Sequence, residues 1–241
     1  SGVCHSQLHQ MHNKESARPF VMGHEGTGVV TKTGRDVTHL KEGDTAIVTW
    51  VPRMPTRGRR PTYMTGATYH EQPLNGMVWT WGEDVLALSD YVVKVAPDVP
   101  KGASSIVGCA VLTGAGAVLN TARPRPGDSV AIFGVGGVGL CALKMADLML
   151  AHPIIAVDLH DEKLQFAKRF GATHLVNAGK VDAVQAIIDI TKGGADFVFD
   201  AIGVRKTMEQ ILPATRSGGP GADNHGGMAV LIGWPQTEIT V

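Results

Sequence analysis

The sequence has few cysteines, no net charge and no long apolar run, and each shortage excludes a class of protein. Three cysteines in 241 residues are too few for a disulfide framework, which indicates a reducing compartment or metal and catalytic use. Basic and acidic residues balance at 22 each, so no overall field favours nucleic acid or a membrane surface. The longest apolar stretch, Ile106 to Leu119, is too short and too glycine-rich to span a bilayer. We therefore expect a cytoplasmic protein with small-molecule partners, no nucleic acid and no membrane.

Two parts of the chain carry different patterns, and the length is sufficient for two domains. From residue 1 to 106, short Val/Ile/Thr runs separated by Gly, Asp and Pro predict a mostly antiparallel β domain. From residue 107 to 241, apolar strands alternate with helical segments, which predicts a doubly wound parallel sheet with helices on both faces. The predicted fold class is therefore α/β, with a smaller β domain first.

The predicted elements are short. The β domain has predicted strands at 28–32, 45–50 and 91–95. The second domain has predicted strands at 130–133, 154–157, 174–176, 197–199 and 228–232. Its predicted helices lie at 138–150, 163–170, 181–190 and 207–212. Residues 51–75 read as an irregular loop that contains Arg53, Arg57, Arg59 and Arg60. We interpret it as a solvated or oligomer-facing loop, with cleft gating or recognition of an anionic substrate as the alternative.

A glycine-rich turn follows the first strand of the second domain. Gly134, Gly136, Gly137 and Gly139 fit G-x-G-x-x-G and open a helix, and Asp158 ends the next strand 19 residues after Gly139. Such glycines let a pyrophosphate approach the helix N-terminus. An aspartate at this point accepts hydrogen bonds from ribose hydroxyls and repels a 2′-phosphate, so NAD is favoured over NADP. The alternative is a packing turn that binds nothing.

Three candidate metal ligands are spread along the chain. Cys4, His24 and Cys109 form a set of two thiolates and one imidazole that leaves a fourth position open, as in catalytic zinc sites. No C-x-x-C pair exists, which excludes a closed four-cysteine site. Spacing alone leaves open that Cys109 is a small buried hydrophobe and His24 a turn histidine.

These motifs, in this order, resemble the zinc-dependent alcohol dehydrogenases of the medium-chain dehydrogenase/reductase superfamily. The resemblance covers nearly the whole chain and rests on Gly-Val-Cys-His-Ser at 2–6, Gly-His-Glu-Gly-Thr-Gly-Val-Val at 23–30, Glu-Gly-Asp-Thr at 42–45, Cys109 with Thr113-Gly114, and the glycines at 134–139. It implies a GroES-like β catalytic domain packed on a Rossmann domain, with zinc and nicotinamide meeting in the cleft between them.

The resemblance implies roles for the residues around the metal. Cys4, His24 and Cys109 match the catalytic zinc ligands, and Glu25 matches a glutamate that can approach the metal when the site rearranges. Gln7 stands where many relatives have an aspartate that orients the histidine ligand, so we expect that contact to be weaker or replaced.

The resemblance also implies residues for proton transfer, cofactor and substrate. Ser6 matches the hydroxyl that hydrogen-bonds the alcohol, and His9 matches the outer end of the proton relay. The remaining matches are His5 at the pyrophosphate, Thr113 near the nicotinamide, Asp158 and Lys163 at the adenosine ribose, and Trp50 in the wall of the substrate pocket. From the sequence alone, Lys163 is equally a solvated helix lysine, Ser6 a turn serine and His9 a surface histidine.

The sequence departs from the family pattern in two ways, which concern the number of zinc sites and the extent of the two domains. Between Val51 and Gly82, where relatives commonly hold a structural zinc, there is no cysteine, so we expect a single, catalytic zinc. The resemblance starts at the first zinc cysteine and stops near the fifth Rossmann strand, so we expect both domains to be partial. The third cysteine, Cys141, is expected to be a core residue of the helix after the glycine turn.

The sequence therefore predicts a zinc-dependent oxidoreductase that transfers a hydride between an alcohol or aldehyde and NAD(H), with a proton relay through Ser6 and His9. A homo-oligomer, dimer or tetramer, is expected from the family. The alternatives are a zinc-free quinone or enoyl reductase of the same superfamily, a nicotinoprotein alcohol or formaldehyde dehydrogenase, and a non-catalytic binding module. Retention of the three candidate ligands argues against the zinc-free reductase.

Overall fold

The chain forms two compact units, Ser1–Ala110 and Val111–Val241, in a computed structural model. The structure describes residues 1–12, 21–53, 67–74, 78–219 and 225–235. No helix within these ranges is long and apolar enough to cross a membrane. Of the irregular loop predicted at 51–75, residues 51–53 and 67–74 are described. The prediction is wrong for residues 68–73, which pair as a short antiparallel hairpin. Arg53 is the one of the four loop arginines that lies in these ranges, and its backbone N–H donates to the Asp90 carbonyl at 2.6 Å.

The first unit is built on a small antiparallel sheet. Its elements are α1 (His5–His12), β1 (Gly26–Val29), β2 (Thr45–Val48), β3 (Thr68–Tyr69), β4 (Gln72–Pro73), a 3-10 turn (Ser89–Tyr91), β5 (Val92–Lys94) and α2 (Lys101–Ser104). Strand β2 lies between β1 and β5, and β3 and β4 form a separate hairpin. The strand predicted at 28–32 begins earlier, because Gly26 already pairs with Val48 of β2.

A long helical segment leads from the first unit into the second. It consists of π-helical turns at Val107–Val111, then α3 (Leu112–Gly116), then further π-helical turns at Ala117–Ala122. The longest apolar stretch of the sequence, Ile106 to Leu119, lies almost entirely in this interrupted helix.

The second unit is a five-stranded parallel sheet flanked by helices. Its elements are β6 (Val130–Phe133), α4 (Gly137–Leu148), β7 (Ile154–Asp158), α5 (Asp161–Ala167), a 3-10 turn (Lys168–Phe170), β8 (His174–Asn177), α6 (Ala183–Thr191), β9 (Phe197–Asp200), α7 (Arg205–Ile211) and β10 (Met228–Leu231). The strand order is β10-β9-β6-β7-β8, and every pairing is parallel.

The core of the second unit lies on both faces of this sheet. Successive residues of β6 belong to different clusters: Val130 and Ile132 pack on one face, and Ala131 and Phe133 on the other. Because neighbouring side chains of a strand point in opposite directions, an all-apolar strand requires cover on both sides. The predicted α/β fold class, with a small antiparallel β unit followed by a parallel sheet flanked by helices, is confirmed.

Candidate metal centre and dinucleotide loop

Three potential metal-binding side chains converge in the first unit. One ligand atom from each of Cys4, His24 and Cys109 lies within 4.8 Å of the others. The two sulfur atoms are 3.8 Å apart, although the residues are 105 positions apart in the chain. In the part of the chain that the structure describes, no other group of three or more His, Cys, Asp or Glu is so placed. The arrangement can hold a metal ion.

The position of Cys109 is fixed by the residue before it. A Cβ added to Gly108 would lie 2.2 Å from the Val48 carbonyl oxygen at the end of β2, so only glycine permits this approach. The Thr49 hydroxyl donates to the Gly108 carbonyl at 2.9 Å. The backbone that carries Cys109 is therefore held directly against β2.

His24 is positioned in a similar way. Gly23 has φ +95°, and a Cβ there would lie 2.4 Å from Thr80 Oγ1. One ring nitrogen, His24 Nδ1, lies 2.6 Å from Gln7 Nε2. The other, Nε2, is buried without a hydrogen-bond partner among the described residues. A buried imidazole nitrogen without a partner, beside two cysteine sulfurs, fits a zinc ligand.

The charge state of the site also suits a metal. The Cys109 thiol, followed by the His24 ring, stabilises the Cys4 thiolate and lowers the pKa of Cys4 to about 3, although burial acts in the opposite direction. Zinc is bound by the thiolate form of cysteine. Donor types, burial and charge therefore agree with a zinc site.

Glu25 is the residue directly after His24 in the chain. Its side chain is 2% exposed, and its Oε2 atom has no hydrogen-bond partner among the described residues. Burial raises the pKa of this carboxyl group. A Cβ on Gly2 would lie 2.5 Å from Glu25 Oε1, so the missing side chain of Gly2 leaves room for the carboxyl group.

Of the predicted relay, cofactor and pocket residues, His5, Ser6 and His9 lie near Cys4 in the chain, whereas Trp50 lies after β2. Ser6 is exposed and also contributes to the low pKa of Cys4. The His5 and His9 rings are one helical turn apart on α1, with centroids 4.9 Å apart. Trp50 follows Thr49 after β2 and is 42% exposed. Their roles in proton transfer and substrate binding remain predictions.

The glycine-rich loop of the second unit divides into packing and open positions. A Cβ on Gly139 would lie 1.8 Å from the Gly134 carbonyl oxygen, and one on Gly134, which has φ +87°, would lie 2.4 Å from Ile202 Cγ1. A Cβ on Gly136, by contrast, would meet nothing within 4 Å. Gly136 and Gly137 are exposed where α4 begins. The first pair closes the turn, and the second leaves the helix N-terminus open to a ligand.

Asp158 is brought next to this loop. It ends β7, and its Oδ2 atom accepts a hydrogen bond from the Val135 N–H at 3.1 Å. Its Oδ1 atom accepts from the N–H groups of Leu159 and His160. Of the other predicted cofactor residues, Thr113 is half-buried in α3 and Lys163 is exposed in α5.

One residue that supports the glycine-rich loop was not predicted from the sequence. Asp200 ends β9 and is fully buried; it accepts hydrogen bonds from the Gly203 N–H at 2.9 Å and the Thr207 hydroxyl at 2.7 Å. It thereby fixes the turn that carries Ile202 against Gly134. The available signal was an acidic residue at the end of an apolar strand, three residues before a glycine.

Known families match both units. The family described as alcohol dehydrogenase GroES-like domain matches residues 1–101, and the one described as zinc-binding dehydrogenase matches residues 137–241. The S-(hydroxymethyl)glutathione dehydrogenase of Escherichia coli O1:K1 / APEC is 33% identical, over 97% of this chain and 68% of its own length.

The chain belongs to the zinc-dependent alcohol dehydrogenase family.

Solved structures agree with this alcohol dehydrogenase assignment. Benzyl alcohol dehydrogenase from Acinetobacter calcoaceticus is 30% identical with a TM-score of 0.84, and the match covers 100% of this chain and 70% of that one. An alcohol dehydrogenase zinc-binding domain protein from Burkholderia ambifaria gives a TM-score of 0.86 at 30% identity and the same coverage. The family predicted from the sequence is confirmed.

Proposed function

We propose that this zinc-dependent alcohol dehydrogenase transfers a hydride from a primary alcohol to NAD, giving an aldehyde and NADH, and that it catalyses the reverse reduction. The observation that carries this proposal is the convergence of Cys4, His24 and Cys109 within 4.8 Å. The names of the relatives, benzyl alcohol dehydrogenase and S-(hydroxymethyl)glutathione dehydrogenase, both describe substrates with a CH₂–OH group. A CH₂–OH substrate is therefore the class proposed here.

The three side chains would hold the zinc, with Cys4 and Cys109 as thiolates and His24 offering its unpartnered Nε2. Three protein ligands are the usual number in a catalytic zinc site. When bound, zinc acts as a Lewis acid that lowers the pKa of an alcohol hydroxyl. The low pKa of Cys4 supports this assignment because the ligand is already a thiolate at neutral pH.

The hydroxyl proton leaves through side chains of α1. Ser6 Oγ, two residues after Cys4 in the chain, accepts the proton from the alcohol as it releases its own hydroxyl proton, and the His9 ring takes up the released proton and passes it to solvent. A histidine suits this step because imidazole exchanges protons near neutral pH. The His5 ring, whose centroid lies 4.9 Å from that of His9, contacts the pyrophosphate in this proposal.

The second unit holds the dinucleotide. The exposed N–H groups around Gly136 and Gly137 bind the pyrophosphate at the start of α4. Asp158, held beside the loop by the Val135 N–H, accepts hydrogen bonds from the adenosine ribose hydroxyls and disfavours a 2′-phosphate.

The test combines metal analysis with turnover. Wild type, Cys4→Ser and Cys141→Ser are purified and assayed for zinc content and for alcohol-dependent NADH formation with a panel of primary alcohols. We expect wild type and Cys141→Ser to hold one zinc per chain and to form NADH, and Cys4→Ser to lose both. Zinc-free wild type that reduces quinones or enoyl substrates would instead establish the other reductase class of the superfamily.

A further inference from the structure

A buried glutamine connects two of the zinc ligands. Gln7 is 1% exposed. Its Oε1 atom accepts a hydrogen bond from the backbone N–H of Cys4 at 2.8 Å, and its Nε2 atom lies 2.6 Å from His24 Nδ1. Gln7 is thus in direct contact with the backbone of one ligand and the ring of another.

The Cys4 contact determines which way the amide points. A backbone N–H can only donate, so the group that faces it must be the amide oxygen. The amide NH₂ therefore faces His24, and since NH₂ can only donate, Nδ1 must accept with its lone pair. A neutral imidazole carries one proton, which places that proton on Nε2.

This hydrogen-bond pattern competes with metal binding. A zinc ligand must offer its ring nitrogen as a lone pair, and the tautomer is set by the hydrogen bond of the other ring nitrogen. Nε2 is the nitrogen without a partner among the described residues, so it is the one available to zinc. Binding through Nε2 moves the ring proton to Nδ1, where it meets the donor NH₂ of Gln7.

We infer that Gln7 sets the tautomer of His24 against zinc, so that zinc binding requires its amide to turn and to give up the Cys4 N–H. This inference rests on the proposed function, in which Cys4, His24 and Cys109 hold zinc. Gln7 is a positioning residue: it acts on the metal through His24 and weakens zinc binding. The site then loses and regains zinc more readily than one with a carboxylate at position 7.

Gln7→Glu is the matching variant. The two side chains have nearly the same shape, but a carboxylate has two acceptor oxygens. One oxygen can keep the Cys4 N–H while the other accepts Nδ1–H of His24, so zinc binding no longer costs a hydrogen bond. Gln10 is an exposed glutamine on the same helix, and Gln10→Glu adds the same charge without these contacts. Gln7→Met keeps the volume and removes both polar atoms.

The first measurement is zinc affinity of the whole chain, by competition with a chromogenic chelator. Changes in the partner of a ligating histidine alter metal affinity by roughly 10–100-fold, so we expect Gln7→Glu to bind zinc at least about 10-fold more tightly than wild type. Gln10→Glu should show no gain. Gln7→Met removes the opposing NH₂ without supplying an acceptor, so its zinc affinity should lie between those of wild type and Gln7→Glu. An affinity of Gln7→Glu equal to or below that of wild type, or an equal gain in Gln10→Glu, overturns the inference.

The second measurement reads the tautomer directly. Long-range ¹H–¹⁵N spectra of the histidine rings are recorded on metal-stripped whole chain at pH 8, with His24→Asn used to assign the His24 signal. We expect the proton on Nε2 in wild type and on Nδ1 in Gln7→Glu, and a shift to Nδ1 in wild type after zinc is added. A wild-type ring already protonated on Nδ1 without zinc contradicts the inference.

The two measurements separate this inference from the proposed function. If wild type and Gln7→Glu both fail to bind zinc, the proposed function fails. If both bind zinc with equal affinity, the proposed function stands and the role of Gln7 is rejected.

Discussion

The interiors of the two units differ in chemistry. In the second unit, β6 and the first four residues of β7 are apolar and at most 1% exposed. The interior of the first unit is richer in polar side chains: among the described residues, eight of the eleven buried polar or charged side chains belong to it. These eight are Gln7, Glu25, Asp44, Thr45, Thr49, Thr80, Ser104 and Ser105.

This difference indicates that the two units are stabilised in different ways. Apolar burial on both faces of the parallel sheet stabilises the second unit without help from a ligand. The first unit depends more on hydrogen bonds, and a bound metal adds its binding free energy to folding. The buried polar groups around Cys4, His24 and Cys109 therefore stabilise the first unit and surround its candidate metal site.

The largest expected effect is on the apolar core of the second unit. Phe199 is 0% exposed in β9, so Phe199→Ala should lower the free energy of unfolding by about 3–5 kcal/mol. Phe166 in α5 is 45% exposed, so Phe166→Ala is the matched control. This substitution should lower the free energy of unfolding by well under about 1 kcal/mol. Urea unfolding followed by circular dichroism measures both. Equal losses would contradict the account of this core.

The glycine loop offers a contrast within one motif. Gly139→Ala places a Cβ 1.8 Å from the Gly134 carbonyl oxygen and should destabilise the second unit by about 3 kcal/mol. Gly136→Ala enters open space, so it should leave stability unchanged and weaken NADH binding only. Thermal unfolding and NADH fluorescence titration distinguish the two effects. A stability loss in Gly136→Ala would assign that glycine to packing.

In the first unit, removal of a buried hydroxyl group should lower the free energy of unfolding more than removal of an exposed one. Thr49 is 3% exposed, and its hydroxyl donates to the Gly108 carbonyl and accepts from the Val51 N–H. Thr49→Val removes both bonds and should lower the free energy of unfolding by about 1–3 kcal/mol. Zinc affinity should fall as well, since Gly108 precedes Cys109. Thr31→Val, at an exposed position, is the control. Unchanged zinc affinity in Thr49→Val would show that this contact does not support the metal site.

The smallest expected effect concerns the salt bridge between Asp196 and Arg216 in the second unit. Burial alone would raise the pKa of Asp196, but the Ser129 N–H and hydroxyl and the Arg216 guanidinium hold that pKa below its usual range. A carboxyl group with a lowered pKa in the folded state stabilises the protein above about pH 4, and this contribution is lost as the pH falls. The stability difference between wild type and Asp196→Asn should therefore shrink below pH 4. A difference that stays constant down to pH 2 would contradict this role.

The second unit could be predicted closely from its sequence because its signals are local. Apolar strands such as Val130–Phe133 alternate with helices, and G-x-G-x-x-G marks the turn between the first strand and its helix. Element ends shifted by a few residues, as where the helix predicted at 163–170 ends as α-helix at Ala167 and continues as a 3-10 turn.

The first unit could be predicted only through its family resemblance. Its ligands at positions 4, 24 and 109 come together through long-range contacts such as Gly108 against Val48, which no local pattern reports. Gln7 illustrates the limit: the sequence indicated a changed partner for His24, but the amide orientation follows from a hydrogen bond to Cys4 that only the structure reveals.

The most direct test of the central claim, one metal held by Cys4, His24 and Cys109, is titration of the metal-stripped whole chain with Co²⁺ while its absorption spectrum is recorded. We expect one equivalent of Co²⁺ to give thiolate-to-metal charge-transfer and tetrahedral ligand-field bands. Both should disappear in Cys109→Ser and persist in Cys141→Ser. Absence of the thiolate band in wild type, or its persistence in Cys109→Ser, would contradict the account.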